Sequence, residues 1–410
     1  MASETRIDEA GLLDRMALVA QAFRPAAPID RRSLFSGRAE QIAEIFAVVA
    51  QPGQHAVVYG ERGVGKTSLT AVAAEMLNGA NVLTARATCD ASDDFTSVWR
   101  KTLEEIAFHS TTRAPGFSER VEQTSESAAG LLGTGAATPN DVRRALEQVT
   151  RQRELAVFVD EFDRLRDPEA RTLFADTIKA LSDRLVRVTV VLIGVADSVG
   201  ELIREHLSIE RALVQIHMPR MANAELAEIA TKGVASAQME ISGAAVKKIT
   251  ALSQGLPHYT QLLTQLSALA ALDRRRPDVN ARDVDVAVGR AIERAQESIV
   301  EAYRDATEGG RRTIYPQVLL ACALAEEDDF GFFTPSDVRA PLGKILGKPP
   351  RTAAFAQHLD ELSAESRGSI LHKHGQANAP RYRFVNPLLQ PYVAMRGVAE
   401  GVVQLRDLHR

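Results

Sequence analysis

A run of eight residues has the types and spacing of a loop that binds nucleotide phosphates. The run is Gly60, Glu61, Arg62, Gly63, Val64, Gly65, Lys66 and Thr67, and it follows the short apolar segment 56–59. Its glycines allow a tight turn that aims backbone N–H groups at a triphosphate, and the helix continuing through Ser68 adds its positive dipole end. In such a loop the lysine reaches the β- and γ-phosphates and the threonine hydroxyl binds Mg²⁺. The pattern therefore predicts a nucleotide site.

An acidic pair supplies the residues that hydrolysis needs. The apolar run 156–159 is followed directly by Asp160 and Glu161. At the end of a buried strand, Asp160 is placed to join the Mg²⁺ shell and Glu161 to orient the attacking water. Asp163, two residues further on, is expected to have a structural role.

The elements that must position these residues follow an alternating strand and helix pattern between about residues 34 and 218. We expect strands at five places, with helices between them: 55–59, 82–87, 155–159, 187–194 and 213–217. The strands are continuous apolar runs, which is typical of a parallel sheet covered on both faces. The pattern predicts a doubly wound α/β core. The Ser-, Thr-, Ala- and Gly-rich stretch Thr111 to Asn140 reads as a mobile loop within it.

The rest of the chain has three further parts. Residues 1–33 suggest an arm with one helix between Glu9 and Phe23. Residues 222–307 read as helices, with Ser242 and Asn280 as N-caps and Pro257 in a first turn. After about residue 311 the pattern gives three helices and two short strands, 369–372 and 381–385, which describe a winged helix. The predicted domains are a 1–33 arm, a 34–220 nucleotide-binding α/β core, a 221–308 helical lid and a 309–410 winged helix.

Composition favours a globular protein of the cytoplasm. Of 410 residues, 45% are hydrophobic and 25% charged, and the net charge of −4 gives no global attraction to nucleic acid. We find no membrane-length apolar run and no N-terminal signal peptide pattern. The two cysteines, Cys89 and Cys322, form neither a disulfide framework nor a zinc pattern. The segment from Phe332 to Ala399 contains nine Lys or Arg residues and only four Asp or Glu residues, so this part of the chain is locally basic.

Through these motifs, the segment from Leu34 to Arg396 resembles the AAA+ ATPases, in particular their origin-recognition-like and STAND branches. The resemblance implies a P-loop NTPase core that binds ATP. The segment 34–40 is similar to the family element that lies against adenine, which implies ATP contacts for Phe35 and Arg38. The segment 208–211 is similar to the site of the family's arginine finger. The resemblance thus implies that Arg211 reaches the γ-phosphate of a neighbouring copy.

Two family positions differ in this chain. The strand that ends near 196 is followed by Asp197 and Ser198 where the family usually has a sensor Asn. Either residue could serve, and Ser198 could instead cap the next helix. Where many members have a sensor arginine, the chain has Gly255-Leu256-Pro257-His258. This resembles the STAND branch, which implies that Pro257 packs near adenine, and His258 is a further candidate for a phosphate contact.

Two interpretations of the winged helix remain open. Resemblance to replication initiators implies that the wing residues Lys373, His374, Arg381 and Arg383 contact DNA phosphates. Resemblance to STAND switches implies instead an intramolecular clamp that holds ADP and swings away when ATP enters. The helix between Thr352 and Leu362 is apolar and partly acidic, which argues against strong base recognition.

The sequence as a whole predicts an ATP-binding, Mg²⁺-dependent and ATP-hydrolysing switch. We expect it to form homo-oligomers and to work with a separate effector or sensor protein, as a regulator of the replication, transposition or defence type with DNA as a candidate partner. The alternative within the family is the STAND-like clamp without DNA binding. A phosphate-loop kinase is a third class, against which the helical segment and the wing argue. The chain has no Asn-Lys-x-Asp motif, which argues against a GTPase.

Overall fold

The computed structural model describes residues 7–25, 35–113, 121–195, 209–308, 313–376 and 379–408. The chain forms two compact units. The sheet unit comprises Arg38–Gly60 and Lys66–Met218. The helical unit comprises Met1–Gly37, Glu61–Gly65 and Pro219–Arg410, so the central residues of the phosphate loop belong to it.

A parallel sheet forms the centre of the sheet unit. In chain order the strands of this unit are β1 His55–Tyr59, β2 Leu83–Thr88, β3 Ala107–Arg113, β4 Val121–Ser127, β5 Leu155–Asp160, β6 Val188–Gly194 and β7 Leu213–His217. The sheet has the order β2-β5-β6-β1-β7, and its neighbouring strands are parallel. The strands lie within one residue of their predicted positions. The parallel α/β core predicted from the apolar runs is confirmed.

The prediction of a mobile loop between Thr111 and Asn140 is wrong for most of that stretch. β3 and β4 pair as an antiparallel hairpin, and a 3-10 turn follows at Ala128–Leu132. These two strands, which are rich in Thr and Ser, can form a β-ribbon because Thr favours extended backbone and ladder hydrogen bonds need no apolar side chain. The prediction of a loop was based on the low hydrophobicity of the side chains. Backbone hydrogen bonds between two strands leave no trace in that measure.

Helices cover both faces of the sheet. They are α2 Ala39–Val49, α3 Lys66–Gly79, α4 Phe95–Glu104, α5 Pro139–Val149 and α6 Pro168–Asp183, while α1 belongs to the helical unit. Alternate strand residues such as Val57 and Val157 share a buried core with Trp99 and Phe174 of α4 and α6. α2 and α3 pack against β1, β5 and β6. Because both faces are buried, the inner strands β5 and β6 are buried at every position, whereas the edge strands β2 and β7 have polar residues at partly exposed positions.

One histidine lies inside this core. His55 begins β1, and its ring is fully buried. Nδ1 accepts a hydrogen bond from the Val190 amide at 2.9 Å, and burial lowers the pKa of His55 from 6.5 to about 4. The unfolded chain takes up a proton on this ring as pH falls below 6.5, whereas the native chain does so only near 4. Stability is therefore full above the unfolded pKa and is lost as pH falls toward the native one.

A His55→Asn substitution should flatten this pH dependence, because Asn offers an acceptor to Val190 but does not titrate. Between about pH 7 and pH 5 we expect the wild type to lose about 2 kcal/mol more unfolding free energy than the variant. Urea unfolding followed by fluorescence of Trp99, the single tryptophan, measures this within the sheet unit. The exposed, non-titrating Gln152 of the same unit provides the control, since Gln152→Asn should keep the wild-type pH dependence. Equal losses in wild type and His55→Asn would contradict the assignment.

The helical unit contains α1 and the segments that follow the sheet. Its elements up to residue 307 are α1 Glu9–Ala22, α7 Asn223–Ser236, β8 Glu240–Ile241, α8 Gly243–Ser253, α9 Pro257–Asp273, β9 Asp278–Val279, α10 Ala281–Glu293 and α11 Glu297–Thr307. The predicted caps are confirmed: the side chains of Ser242 and Asn280 accept backbone N–H groups, and Pro257 occupies the first turn of α9. These local signals fix where the helices begin.

In the part of the chain that the structure describes, the last part of the helical unit contains four α-helices and an antiparallel hairpin. They are α12 Tyr315–Ala323, α13 Pro335–Leu346, α14 Ala356–Leu362, the antiparallel hairpin β10 Leu371–Gln376 and β11 Ala379–Phe384, and α15 Leu389–Ala399. Phe333 pairs with Tyr382 and extends this hairpin by one bridge. The predicted helix 352–362 is shorter, since Thr352–Ala354 forms a 3-10 turn before α14. Among the described residues we find no helix with the length and apolar character of a membrane span.

Candidate nucleotide-binding site

The candidate catalytic residues of the sheet unit follow two strands of the parallel sheet. β1 leads to Gly60, after which Lys66 begins α3, and β5 ends at Asp160. β6 lies between these two strands and pairs with both in parallel. The carboxyl ends of neighbouring parallel strands lie at the same edge of a sheet. The end of β5 with Asp160 and the segment from β1 to Lys66 and Thr67 therefore lie at one edge. Ligands of open α/β sheets bind at this edge.

Lys66 and Thr67 occupy the first turn of α3. The Lys66 ammonium donates a hydrogen bond to the Gly60 carbonyl at 2.9 Å, which folds the side chain back along the loop. Thr67 and Ser68 are half-buried, and the first turn has no acidic side chain. The N-terminus of a helix attracts anions through its unpaired N–H groups and its dipole. The start of α3 is therefore suited to phosphate.

Asp160 and Glu161 differ in their surroundings. Asp160 is 8% exposed, and its Oδ1 accepts the Glu161 amide at 2.8 Å. It lines a cavity of about 260 Å³ with Thr70, Arg86, Thr88 and Glu105 among the other walls. Glu161 has a left-handed backbone, with φ 52°, and its carboxylate pairs with Arg164 at 2.8 Å. A buried carboxylate beside a polar cavity suits a metal, whereas the half-buried Glu161 can turn toward a substrate water once it leaves Arg164.

Two residues near this pair were not singled out as functional. The exposed Arg164 binds Glu161 at the i+3 position, a spacing from which the pair could have been expected. Pairs between exposed side chains contribute little to stability, because water screens the charges. Asp163 accepts a hydrogen bond from the Val195 amide at 3.3 Å, which agrees with its predicted structural role.

The loop residues of the helical unit adopt conformations that require glycine. Gly63 and Gly65 have φ values of 88° and 95°, where side chains are strained. The ring of Pro257 lies beside Gly65, since a Cβ there would stand 3.7 Å from Pro257 Cγ. A Cβ on Gly63 would stand 3.3 Å from Leu388 Cδ2. The loop thus contacts the start of α9 and the segment before α15.

Glu61 is part of a buried ion-pair cluster in the helical unit. Its carboxylate binds Arg220 through two contacts, Nε–Oε2 at 2.5 Å and Nη2–Oε1 at 3.3 Å. Arg220 Nη1 also lies 3.2 Å from the Gln254 carbonyl and 3.4 Å from Glu327 Oε2. Burial lowers the pKa of Arg220, but Glu327 and Glu61 outweigh it and raise the pKa overall. Sequence reasoning missed Arg220 and Glu327, because no local spacing connects them to the loop.

His258 is engaged by backbone. Its Nδ1 lies 2.8 Å from the Pro25 carbonyl oxygen, and the ring packs edge-on against Tyr259. Burial lowers the pKa of His258, which outweighs the effect of the Pro25 carbonyl. A neutral ring with one nitrogen on a carbonyl is a weak phosphate ligand. Contacts of His258 and Pro257 with ATP stay predictions.

The remaining residues inferred from the family are distributed as follows. Phe35 is half-buried in the helical unit, and Arg38 is buried in the sheet unit, where it precedes α2 with φ 62°. Arg211 is exposed in the turn before β7, as a group that reaches another molecule must be. Asp197 lies outside the described residues. The roles of these residues stay predictions.

The predicted DNA-contacting cations of the wing each have intramolecular contacts. Lys373 pairs with Asp360 at 2.6 Å, and Arg381 pairs with Asp328 at 3.2 Å. The guanidinium groups of Arg381 and Arg383 lie 5.1 and 4.7 Å from the centre of the Phe332 ring. The wing therefore presents a cationic and aromatic surface whose charge is partly balanced by acids.

The chain is similar to known proteins in sequence and in fold. Residues 34–193 match the family model of an AAA ATPase domain. The Walker-type ATPase PABY2304 of Pyrococcus abyssi has 15% identity and a TM-score of 0.51 over 90% of this chain and 98% of that one. The ORC2 protein of Aeropyrum pernix has 15% identity and a TM-score of 0.48 over 91% and 96% of the two chains. A RuvB variant of Thermotoga maritima has 14% identity and a TM-score of 0.46 over 85% and 93%.

No curated protein sequence matches the chain. The match to the family model shows an AAA ATPase domain at residues 34–193. The similarity to the Pyrococcus protein shows a shared fold.

Proposed function

We propose that this protein binds ATP with Mg²⁺, hydrolyses it slowly and acts as a switch of the AAA+ type that assembles with copies of itself. The observation that carries the proposal is the shared sheet edge. There, a complete phosphate loop follows β1, and the Asp160–Glu161 pair follows β5. We assign phosphate binding to this loop and water activation to the acidic pair.

The chemistry divides between named side chains. Lys66 exchanges its bond to the Gly60 carbonyl for phosphate oxygens, while the N–H groups at the start of α3 hold the triphosphate. Glu161 accepts a hydrogen bond from the attacking water and orients it in line with the leaving group. Because little covalent chemistry falls to the protein, positioning and charge stabilisation supply the rate.

The residues at this edge fit Mg²⁺. The ion prefers oxygen ligands, keeps several waters and usually takes one or two protein ligands beside the substrate phosphates. The Thr67 hydroxyl and the Asp160 carboxylate are the protein ligands we assign, and the polar cavity beside Asp160 leaves room for water. When bound, the ion would neutralise charge that develops on the phosphates.

Assembly is tested through Arg211. Arg211→Ala should lower ATP turnover about 1000-fold with unchanged ATP affinity, because an arginine finger stabilises only the transition state. Mixing Arg211→Ala with Glu161→Gln should restore phosphate release, since a mixed interface joins the intact Glu161 of one copy to the intact Arg211 of another. Arg144→Ala, which removes another exposed arginine of the sheet unit, provides the control and should remain active. A mixture that stays inactive would contradict action between copies.

The wing is the proposed site of contact with DNA. Replacing Arg381 and Arg383 together by Ala should weaken binding to a DNA duplex and reduce its salt dependence by about two charges. Fluorescence anisotropy over a series of salt concentrations measures both effects. Arg151 and Arg153 in the sheet unit serve as the matched control, since one is exposed and the other half-buried, like Arg381 and Arg383. Unchanged binding by the wing variant would exclude the wing as the DNA site.

A second candidate function is the intramolecular clamp, which one set of contacts favours. The Leu388 side chain approaches Gly63 of the phosphate loop, and the Leu388 carbonyl accepts a hydrogen bond from the Tyr259 hydroxyl at 2.7 Å. The segment before α15 thereby contacts both the loop and α9. A clamp of this kind predicts slow ADP dissociation from the wild-type chain. We also propose that separate partner proteins supply the effector or sensor functions.

A further inference from the structure

We propose that Arg220 is a positioning residue at the centre of an ion-pair latch, in which Glu61 and Glu327 tie the phosphate loop to the C-terminal part of the helical unit and slow the release of ADP. This inference rests on the proposed nucleotide binding and specifies how that site is regulated. Its three residues come from the loop, from the segment after β7 and from the segment after α12.

The burial and geometry of the cluster support a specific role. The side chains of Glu61, Arg220 and Glu327 are 9%, 12% and 1% exposed. Charged groups are costly to remove from water, so they are rarely buried without close pairing. Here the guanidinium uses one edge for Glu61 and its remaining nitrogen for Glu327 and the Gln254 carbonyl. One cation thereby connects three separate segments of chain.

The C-terminal segment also encloses the Glu61 carboxylate sterically. A Cβ at Gly331 would stand 1.8 Å from Glu61 Oε1, so only glycine permits this approach. Glu327 and Gly331 lie in the same connection between α12 and α13. That connection therefore contacts the latch through a charge and through close packing.

The position of Glu61 explains why the latch would act on the nucleotide. Glu61 stands directly before the loop residues 62–65, whose backbone N–H groups are those that cradle phosphates in such loops. Holding its side chain holds the start of this cradle. When the ion pair between Glu327 and Arg220 breaks, the C-terminal segment loses its ionic connection to the phosphate loop. The loop can then open and release the nucleotide.

The test measures ADP dissociation by stopped flow, with a fluorescent methylanthraniloyl-ADP chased by excess unlabelled ADP in the presence of Mg²⁺. We expect Glu327→Gln and Glu61→Gln each to accelerate dissociation about tenfold. The double variant should also be about tenfold faster, because both substitutions act through Arg220 and do not add. Asp283→Asn is the matched control: Asp283 is a buried carboxylate of the same unit, held by Arg274 and Arg276 at 2.8 Å. It should stay within about twofold of wild type despite a similar loss of stability.

The outcomes separate the latch from the proposed function. Dissociation rates of Glu327→Gln and Glu61→Gln equal to that of Asp283→Asn would overturn the latch while nucleotide binding stands. A wild-type chain that binds no ADP would overturn both. If Glu327→Gln does not fold, Glu327→Asp keeps the charge, withdraws it by one methylene and should still accelerate release. An unchanged rate in Glu327→Asp would then overturn the latch.

Discussion

Replacing Glu161 by Gln is expected to lower ATP turnover about 100- to 10,000-fold while ATP binding remains within about twofold of wild type. Gln has the shape of Glu and can still accept from Arg164, so the left-handed turn after β5 is retained. It cannot take up the proton of the attacking water, and that loss affects the transition state alone. Phosphate release and equilibrium binding of labelled ATP, measured on the same preparation, check both parts.

Asp163→Asn is the control for this variant. Asp163 is an acid only two residues away, and it accepts a bond from the Val195 amide that Asn can also accept. We expect the turnover of Asp163→Asn to stay within about threefold of wild type. The substitution keeps the hydrogen bond to the Val195 amide and leaves no polar group without its partner. Equal losses in both variants would show that any change of charge after β5 disturbs the site, and the role of Glu161 as base would have to be withdrawn.

Replacing Lys66 by Ala is expected to weaken ATP binding about 100-fold or more. Hydrogen bonds to charged groups contribute about 1.5–3 kcal/mol each, and the ammonium is placed to reach two phosphates. The lost bond to the Gly60 carbonyl adds a small cost in loop order. Isothermal titration with ATP and Mg²⁺ measures the affinity.

A lysine elsewhere in the sheet unit, in the last turn of α4, separates binding from stability. Lys101 pairs with Asp90 and Asp93 of the sheet unit at 3.0 and 2.7 Å. Lys101→Ala removes those pairs but touches no residue of the proposed site, so its ATP affinity should match wild type. Wild-type affinity in Lys66→Ala would exclude this loop as the phosphate site.

The sequence was informative where function depends on neighbouring residues. The phosphate loop, the Asp160–Glu161 pair and the caps Ser242 and Asn280 are each defined by a few consecutive positions. The strands could be located because a sheet covered on both faces demands continuous apolar runs. Their locations follow from local physical rules.

Sequence reasoning was less informative where residues far apart in the chain meet. Glu61 and Arg220 are 159 residues apart, and no periodicity connects them. Likewise, a local count of basic residues could not show that Lys373 pairs with Asp360 and Arg381 with Asp328. In the β3–β4 hairpin, backbone pairing determines the structure while the side chains give little apolar signal. Such features depend on the fold as a whole.

The most direct test of the central proposal is steady-state phosphate release by the purified wild-type chain with ATP and Mg²⁺, across a series of protein concentrations. We predict that turnover per chain rises with concentration, because the proposed site is completed by a neighbouring copy, and that Glu161→Gln lowers it at least about 100-fold at every concentration. A wild-type chain that neither binds ATP nor releases phosphate at any concentration would contradict the proposal.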